Sequence, residues 1–254
     1  MKKLFGLWLF LSFCFSQGII AQIYDDGIRS YKAANTAFLM KDAQAEQEKL
    51  EEAFKIFEPL AKSDTKSLIM HYFLSIRLGK PFSLKDLVFQ YVKKEHKDFV
   101  TVEQIPLYGD HKTLILDKLK EIAEQNENRA ITLLEEAKNH AKREEYQDAL
   151  DKLQQVEKLW DIDEVPALKS NYTRLKQEKE KERIINNVKD LINRGFYKDA
   201  LDDLINNKGA LSGQEFDRLE KEIKEKWAKG TLTEANKKFK NKEYDDAIRL
   251  SIVA

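Results

Sequence analysis

The side chains best suited to chemistry in this sequence are its four histidines, which could ligate a metal or move a proton. No two of them lie three or four residues apart, so no helix presents the paired imidazoles of a His-Glu-x-x-His zinc site. Asp110 and His111 place a carboxylate beside a base, but no nucleophile that would complete a catalytic group is recognisable. We interpret them as a surface pair at the start of a helix. The histidines are His71, His96, His111 and His140.

An acidic run, Asp161-Ile162-Asp163-Glu164, is the other group of potential ligands. A calcium loop needs further oxygen ligands and a glycine at fixed spacing, so N-capping of the next helix is the better interpretation. The sequence also lacks a phosphate-binding loop, a glycine-rich dinucleotide motif and a Gly-x-Ser-x-Gly turn. We therefore predict no catalytic residue, no metal site and no cofactor, and we expect that the chain is not an enzyme.

A short motif occurs three times, at 146–150, 197–201 and 244–248: a tyrosine, two polar residues, an alanine and an aliphatic residue. Apolar residues precede each alanine by twelve and eight positions, on one face of a preceding helix. Each copy therefore predicts two helices joined by a tight turn, with Gly195 in the second turn and the alanine at a close helix crossing. The alanines and the residues before them are Ala149, Ala200, Ala247, Ala137, Val188, Ala235, Ala141, Ile192 and Phe239.

The Tyr-x-x-Ala motif, together with the small and large residues of the preceding helix, resembles the tetratricopeptide repeat. The alanines lie 51 and 47 residues apart, against a usual period of about 34 residues, and the Trp-x-x-Leu-Gly opening and closing proline are missing. The resemblance implies an all-α fold in which helical hairpins stack as a tetratricopeptide-like solenoid, with extra spacer helices in the longer period. The alternative is three unrelated antiparallel hairpins that share good helix formers.

Residues 1–21 have the layout of a secretory signal peptide: two lysines, an apolar run over 4–15, and small residues before a cleavage site. The run is too short, and wrongly flanked, for a membrane span. The ending Ala21-Gln22 resembles signal peptides of the Bacteroidota, so we predict export to the periplasm or cell envelope of a Gram-negative bacterium. Cleavage after Gly18 is the alternative. Cys14 suggests a lipoprotein, but Phe13 is too bulky to precede a lipidated cysteine.

The composition suits an exported helical protein without disulfides. Removal of residues 1–21 leaves 42 basic and 44 acidic residues and no cysteine. This near-zero net charge disfavours a nucleic-acid partner, which would select a dominant basic field. Charged residues make up 35% of the chain, against nine glycines and four prolines, which is typical of helices with solvated outer faces. We expect no integral membrane span after cleavage.

Residues 22–95 are predicted to form two N-terminal hairpins. In the first, the connection between the helices spans 41–48. In the second, Asp64 caps the first helix, Gly79 ends it, and Ser83 opens a capping box for the next helix. The apolar residues predicted to line the first hairpin are Tyr31, Ala34, Ala37, Phe38, Leu50, Ala53, Phe57 and Leu60.

Residues 96–110 are predicted to be a connecting loop whose apolar side chains pack against the helices, and residues 111–254 to hold the tetratricopeptide-like repeats. Their apolar spacing predicts long helices over 111–143, with a break near Asn126, and over 165–193. The second of these has a fully charged middle. We interpret that stretch as a solvated spacer, because a coiled coil would need sustained apolar heptads.

Capping boxes at Ser212 and Thr231 predict two helices that are separated at Gly230. The sequence then stops at Ala254, before the last helix should finish, with an apolar end. Because solenoids normally close with a polar capping element, we expect the repeats to be incomplete. These features predict a scaffold or adaptor for protein–protein interactions at the cell envelope. The alternative is the N-terminal docking or sensory region of a longer exported enzyme, truncated at residue 254.

The resemblance also implies a binding surface. In tetratricopeptide domains the first helix of each hairpin lines the inner groove, and two groove positions lie one and five residues after its small residue. All six corresponding residues here are lysine or asparagine, which suits a protein or extended peptide with acidic side chains or a free C-terminus. The alternative is that they are ordinary solvated positions. They are Lys138, Lys142, Lys189, Asn193, Asn236 and Lys240.

Overall fold

The structure is a computed structural model that describes the backbone of residues 2–253 and the side chains of residues 19–252. Within that range the chain forms helices and no strand, which confirms the predicted all-α fold. The predicted signal segment 1–21 lies almost wholly before the first described side chain. The helices are α1 Lys2–Leu39, α2 Ala43–Leu60, α3 Thr65–Leu78, α4 Lys85–Glu95, α5 Val100–Glu103, α6 Gly109–Lys142, α7 Tyr146–Leu159, α8 Val165–Asn193, α9 Tyr197–Asn206, α10 Gly213–Lys240 and α11 Tyr244–Val253.

The chain divides into two compact units. Unit 1 consists of residues 1–135 and 154–163, and unit 2 of residues 136–153 and 164–254. A single 3₁₀ turn, Lys208–Ala210, follows α9 in unit 2. Among the described residues, no helix is both long enough and apolar enough to cross a bilayer.

The first hairpin of unit 1 packs α1 against α2. Most residues predicted to line it are buried, but Phe38 is 53% exposed because it lies in the last turn of α1, beside the connection. The predicted long connection over 41–48 is wrong. Only residues 40–42 separate the helices, and Asp42 caps α2 by accepting a hydrogen bond from the N–H of Ala45 at 3.0 Å. The polar start of α2 has no apolar periodicity, so the sequence pattern concealed it.

The next helices of unit 1 follow the predicted stop signals more closely than the start signals. Asp64 caps α3 by accepting from the N–H of Ser67 at 2.7 Å, and Gly79 ends α3 in a left-handed conformation. Both predictions are confirmed. The capping box at Ser83 is wrong, because Leu84 occupies the N-cap of α4 and makes no side-chain cap.

The predicted connecting loop over 96–110 contains the short helix α5. Its side chains at Phe99, Val102 and Ile105 are buried, which confirms the expected packing, whereas Val100 is 56% exposed. Helix α6 then continues without the predicted break, since Asn126 is a buried residue within it.

The acidic run before α8 does not cap that helix, contrary to expectation. Glu164 occupies the N-cap but makes no side-chain hydrogen bond there. Asp161 instead forms an ion pair with Lys93 at 3.0 Å and lies 3.6 Å from His96. Lys93 also donates to the carbonyl of Glu157 in the last turn of α7, where a positive charge is favourable.

Unit 2 is built on the predicted repeat positions. Ala149 and Ala200 are fully buried and Ala247 is 6% exposed, as expected. Helix α9 packs against both α8 and α10. The core side chains shared by these three helices are Ile184, Val188, Ile192, Ala200, Leu204, Phe216, Leu219 and Ile223.

Helix α10 departs from the prediction of two separate helices. It begins at the expected capping box of Ser212 and continues through Gly230 and Thr231. The hydroxyl of Thr231 donates to the carbonyl of Trp227 at 2.9 Å, one turn earlier, instead of capping a new helix. Gly230 lies within this helix, where its lack of a side chain leaves room for the ring of Tyr197. A Cβ at residue 230 would lie 3.3 Å from that ring.

Candidate functional site

The three repeat turns share one backbone geometry. The residue two positions before each tyrosine is left-handed: Glu144, Gly195 and Lys242 have φ values of 60°, 82° and 66°. In every turn its N–H donates to the carbonyl three residues earlier, and the next N–H donates to the carbonyl five residues earlier. This is the Schellman ending of a helix. It fixes the angle at which the second helix leaves the first.

The same turn joins a fourth pair of helices directly, α1 and α2, and its hydrogen bonds also end α3 at Gly79, where no helix follows at once. Lys41 has φ 61°, its N–H donates to the carbonyl of Phe38, and that of Asp42 donates to the carbonyl of Ala37, both at 3.0 Å. This copy cannot be recognised from the sequence motif, because Ala43 and Glu46 occupy the places of the motif's tyrosine and alanine. The turn geometry therefore extends further along the chain than the sequence motif.

The six predicted binding residues lie at equivalent places on α6, α8 and α10. Lys142, Asn193 and Lys240 are the last residues of these helices, immediately before the shared turn. The other member of each pair lies one helical turn earlier, on the same face. Apart from half-buried Lys138, the side chains are exposed. The turn thus gives three Lys/Asn pairs the same local setting.

One of these residues is already engaged. Lys138 forms an ion pair with Glu164, the N-cap residue of α8, at 3.0 Å. Lys142, Lys189 and Lys240 form no ion pair among the described residues. The structure therefore adds a carboxylate beside Lys138, and leaves the other lysines available to an external acidic group.

A cleft of about 370 Å³ lies between the first turn of α7 and the charged middle of α8. Lys179 forms an ion pair with Glu144 at 2.8 Å and lies 6.0 Å from the ring centroid of Tyr146. Lys176 donates to the side-chain carbonyl of Gln147 at 2.5 Å. The sequence concealed this cleft because the charged stretch of α8 has the composition of a solvated spacer. Lys176 and Lys179 of that stretch instead bind the turn between α6 and α7 and the first turn of α7.

Unit 1 contains a chain of hydrogen bonds through His111, which the sequence suggested only as a surface residue. Arg77 bonds to Glu46 Oε1 and to His111 Nε2, both at 2.6 Å. His111 Nδ1 lies 2.8 Å from the hydroxyl of Tyr31, which is 1% exposed. The surface interpretation of His111 is wrong, because its ring is half-buried in contact with α1 and α3.

The hydrogen-bond partners of His111 determine which of its ring nitrogens carries the proton. Arg77 has no acceptor atom, so His111 Nε2 accepts and Nδ1 carries the proton donated to Tyr31. Burial, followed by the charge of Arg77, lowers the pKa of His111, and burial raises the pKa of Tyr31 to about 12. Both ring nitrogens of His111 are thus engaged, and neither is available as a general base. These hydrogen-bonded side chains link α1, α2, α3 and α6.

Comparison with protein-family models, curated proteins and solved structures found no match. The candidate surfaces are therefore defined by the chain's own geometry. Of these, the six lysine and asparagine residues at the ends of α6, α8 and α10, here called the row, share a local setting and five of them are exposed, whereas the polar group around His111 is internal. The row is the stronger candidate for contact with another molecule.

Proposed function

We propose that this chain is an exported, tetratricopeptide-like scaffold or adaptor that mediates protein–protein interactions at the cell envelope and is not itself an enzyme. The observation that supports the proposal most is the recurrence of one turn in four hairpins, three of which carry a Lys/Asn pair at the end of the first helix. A repeated hairpin that presents the same donors at a fixed place suits an extended ligand better than a compact small molecule.

The ligand that fits these donors is a peptide rich in carboxylates. Lysine ammonium groups and asparagine amides both donate hydrogen bonds to carboxylates, and the lysines repel ammonium and guanidinium groups of a partner. The three exposed lysines of the row, Lys142, Lys189 and Lys240, would supply the charge. A free C-terminus offers the same chemistry as an acidic side chain, so both belong to the proposed partner class.

Fluorescence polarisation with a labelled oligoglutamate peptide tests the proposal directly. We expect saturable binding that weakens as salt is added, since exposed charges are screened. Reversal of two row charges, Lys142→Glu with Lys189→Glu, should abolish it while circular dichroism shows the same helix content. A second peptide with an amidated C-terminus separates binding of side-chain carboxylates from binding of the free terminus.

The matched control reverses two exposed lysines on second helices, Lys158→Glu with Lys198→Glu, which changes the net charge by the same amount. This control should bind the peptide as the unchanged chain does. Equal loss in both double variants would mean that only net charge attracts the peptide. Retained binding in the row variant would exclude the row as the binding surface.

A further inference from the structure

The first and third copies of the repeat hold a cation against the same carboxylate. In the third copy, Lys238 Nζ lies 2.5 Å from Glu243 Oε2, across the turn. In the first copy, His140 occupies the equivalent place, and its Nδ1 lies 2.7 Å from Glu145 Oε2. The middle copy has no such pair, because leucine and phenylalanine stand at these positions. Histidine and lysine differ here in one decisive respect: a neutral imidazole offers a lone pair.

A second carboxylate belongs to the same place in both copies. Asp148 and Asp246 follow the two glutamates by three residues, and each precedes the buried alanine of its motif. The hydrogen bond that Lys238 donates to Glu243, and then the negative charges of Glu243 and Asp246, raise the pKa of Lys238. The third copy therefore holds a cation of its own against Glu243 and within the field of Asp246.

The first copy has the same carboxylates without a lysine. One ligand atom each from His140, Glu145 and Asp148 lies within 4.8 Å of the other two. The residues are spaced by five and three positions across a Schellman turn, so a search for helical i, i+4 ligand pairs cannot find them. Asp148 makes no ion pair or side-chain hydrogen bond among the described residues.

The surrounding charges leave this cluster open. Arg143 Nε is 3.4 Å from Glu145 Oε2 and also donates to the carbonyl of Asn139 at 3.4 Å, and its side chain is 61% exposed. Glu136, one turn before His140, is held by Lys152 at 2.5 Å. Three cations of α8 face the adjoining cleft, and each bonds elsewhere: Lys176 to Gln147, Lys179 to Glu144 and Arg183 to Glu180.

We propose that His140, Glu145 and Asp148 form a binding site for a divalent transition-metal ion such as Zn²⁺. One imidazole nitrogen and two carboxylate oxygens are a suitable donor set for this class of ion, with solvent completing the coordination. Ca²⁺ and Mg²⁺ prefer oxygen ligands alone and would compete poorly. A bound ion would take the place that the ammonium of Lys238 has in the third copy, and would join α6 to α7 across their turn.

Isothermal titration with Zn²⁺ tests the site in the unchanged chain and in two variants. The unchanged chain should bind one ion with micromolar affinity. His140→Lys should eliminate that binding, because lysine supplies its own cation, while thermal melting without metal is unchanged. Lys238→His should create a second site with Glu243 and Asp246. His96→Gln, which alters another histidine close to a carboxylate, should leave the titration unaltered.

Two results would overturn the proposal. Absence of saturable Zn²⁺ binding to the unchanged chain would mean that His140 and Glu145 form an ion pair only. Binding that persists in the His140→Lys variant would place the metal elsewhere in the chain. Histidine ring resonances followed by NMR during the titration identify the ligand independently, since only those of His140 should shift at one equivalent of Zn²⁺.

Discussion

Gly27 of α1 lies directly against the ring of Phe57 of α2, so close that no side chain fits between them. A Cβ atom at residue 27 would be 2.6 Å from Cζ of Phe57, and 2.8 and 3.0 Å from two further ring carbons. Phe57 is fully buried, so its ring has no free space to enter. The absence of a side chain at residue 27 sets the distance between α1 and α2.

We expect Gly27→Ala to lower the free energy of unfolding by about 1–2 kcal/mol. Alanine favours the helix by up to about 1 kcal/mol over glycine, but overpacking of a buried ring outweighs that gain. Urea unfolding followed by circular dichroism measures the change. Gly213→Ala is the matched control, because a Cβ there meets nothing within 4 Å; it should not be destabilising.

A double-mutant cycle with Phe57→Leu checks the cause. The smaller side chain makes room for the new methyl group, so the two substitutions together should cost less than the sum of their separate effects. Strict additivity would show that the Gly27→Ala effect arises from the backbone and not from contact with the ring.

The shared turn predicts unequal effects of two substitutions at equivalent positions, one that removes a glycine and one that introduces it. Gly195→Ala should lower the free energy of unfolding by about 1 kcal/mol, because φ of 82° strains any residue with a Cβ. The added Cβ would have no atom within 4 Å whose contact could offset that strain. Lys242→Gly should be neutral or slightly stabilising, since it relieves the strain at φ 66° but adds freedom to the unfolded chain. Equal effects in chemical unfolding would contradict the equivalence of the turns.

The burial of Ala200 predicts that the crossing of the second hairpin has no room for a larger side chain. Its side chain is fully buried among α8, α9 and α10, so Ala200→Leu should overpack the crossing and cost about 1–3 kcal/mol. Ala210→Leu, at an exposed position of the same unit, controls for the added apolar group. Similar unfolding midpoints for the two variants would mean that the crossing has room for a larger side chain.

Two histidines, one buried and one half-buried, predict that stability depends on pH. His71 is fully buried, neither ring nitrogen has a hydrogen-bond partner among the described residues, and its ring lies 4.3 Å from that of Phe54. Burial lowers the pKa of His71, against a smaller opposing effect of Glu58. Burial and Arg77 lower the pKa of His111, against Asp110 and Glu46.

Both folded-state pKa values lie below the ordinary 6.5. At a pH between the folded-state and ordinary values, the unfolded chain therefore binds more protons than the folded chain. The stabilisation is complete above pH 6.5 and is lost as pH falls through that value toward the folded-state pKa. Unfolding in urea at a series of pH values from 7.5 to 5 measures the slope. His71→Leu should reduce the slope to the part that His111 contributes; an unchanged slope would show that His71 contributes nothing to it.

The repeat positions were predictable because each combines a small or apolar residue with a helical spacing that the structure uses. Ala149, Ala200 and Ala247 were identified in this way, and each is buried at its expected turn. Gly79 and Asp64 were predictable as helix ends, because a left-handed residue and a carboxylate cap have few alternatives.

The remaining errors have a common physical origin: a local signal was outweighed by packing. Thr231 has the sequence of a cap, but its hydroxyl bonds to the preceding turn of a continuous helix. Phe239 matches the apolar spacing but is 62% exposed. Glu144 and Lys179 meet from positions 35 residues apart, and His140 and Glu145 meet across a turn. Local spacing contains no information on such meetings.

The shortness of α9 has a consequence for the way unit 2 opens. This helix has only 10 residues, below the length of about 12–15 residues at which an isolated helix becomes even marginally stable in water. It persists because Ala200 and Leu204 are buried between the two long neighbours. Its central amide hydrogens are therefore released to exchange with solvent only when α9 loses its packing against α8 and α10, so their exchange reports the opening of this three-helix core and not local fraying.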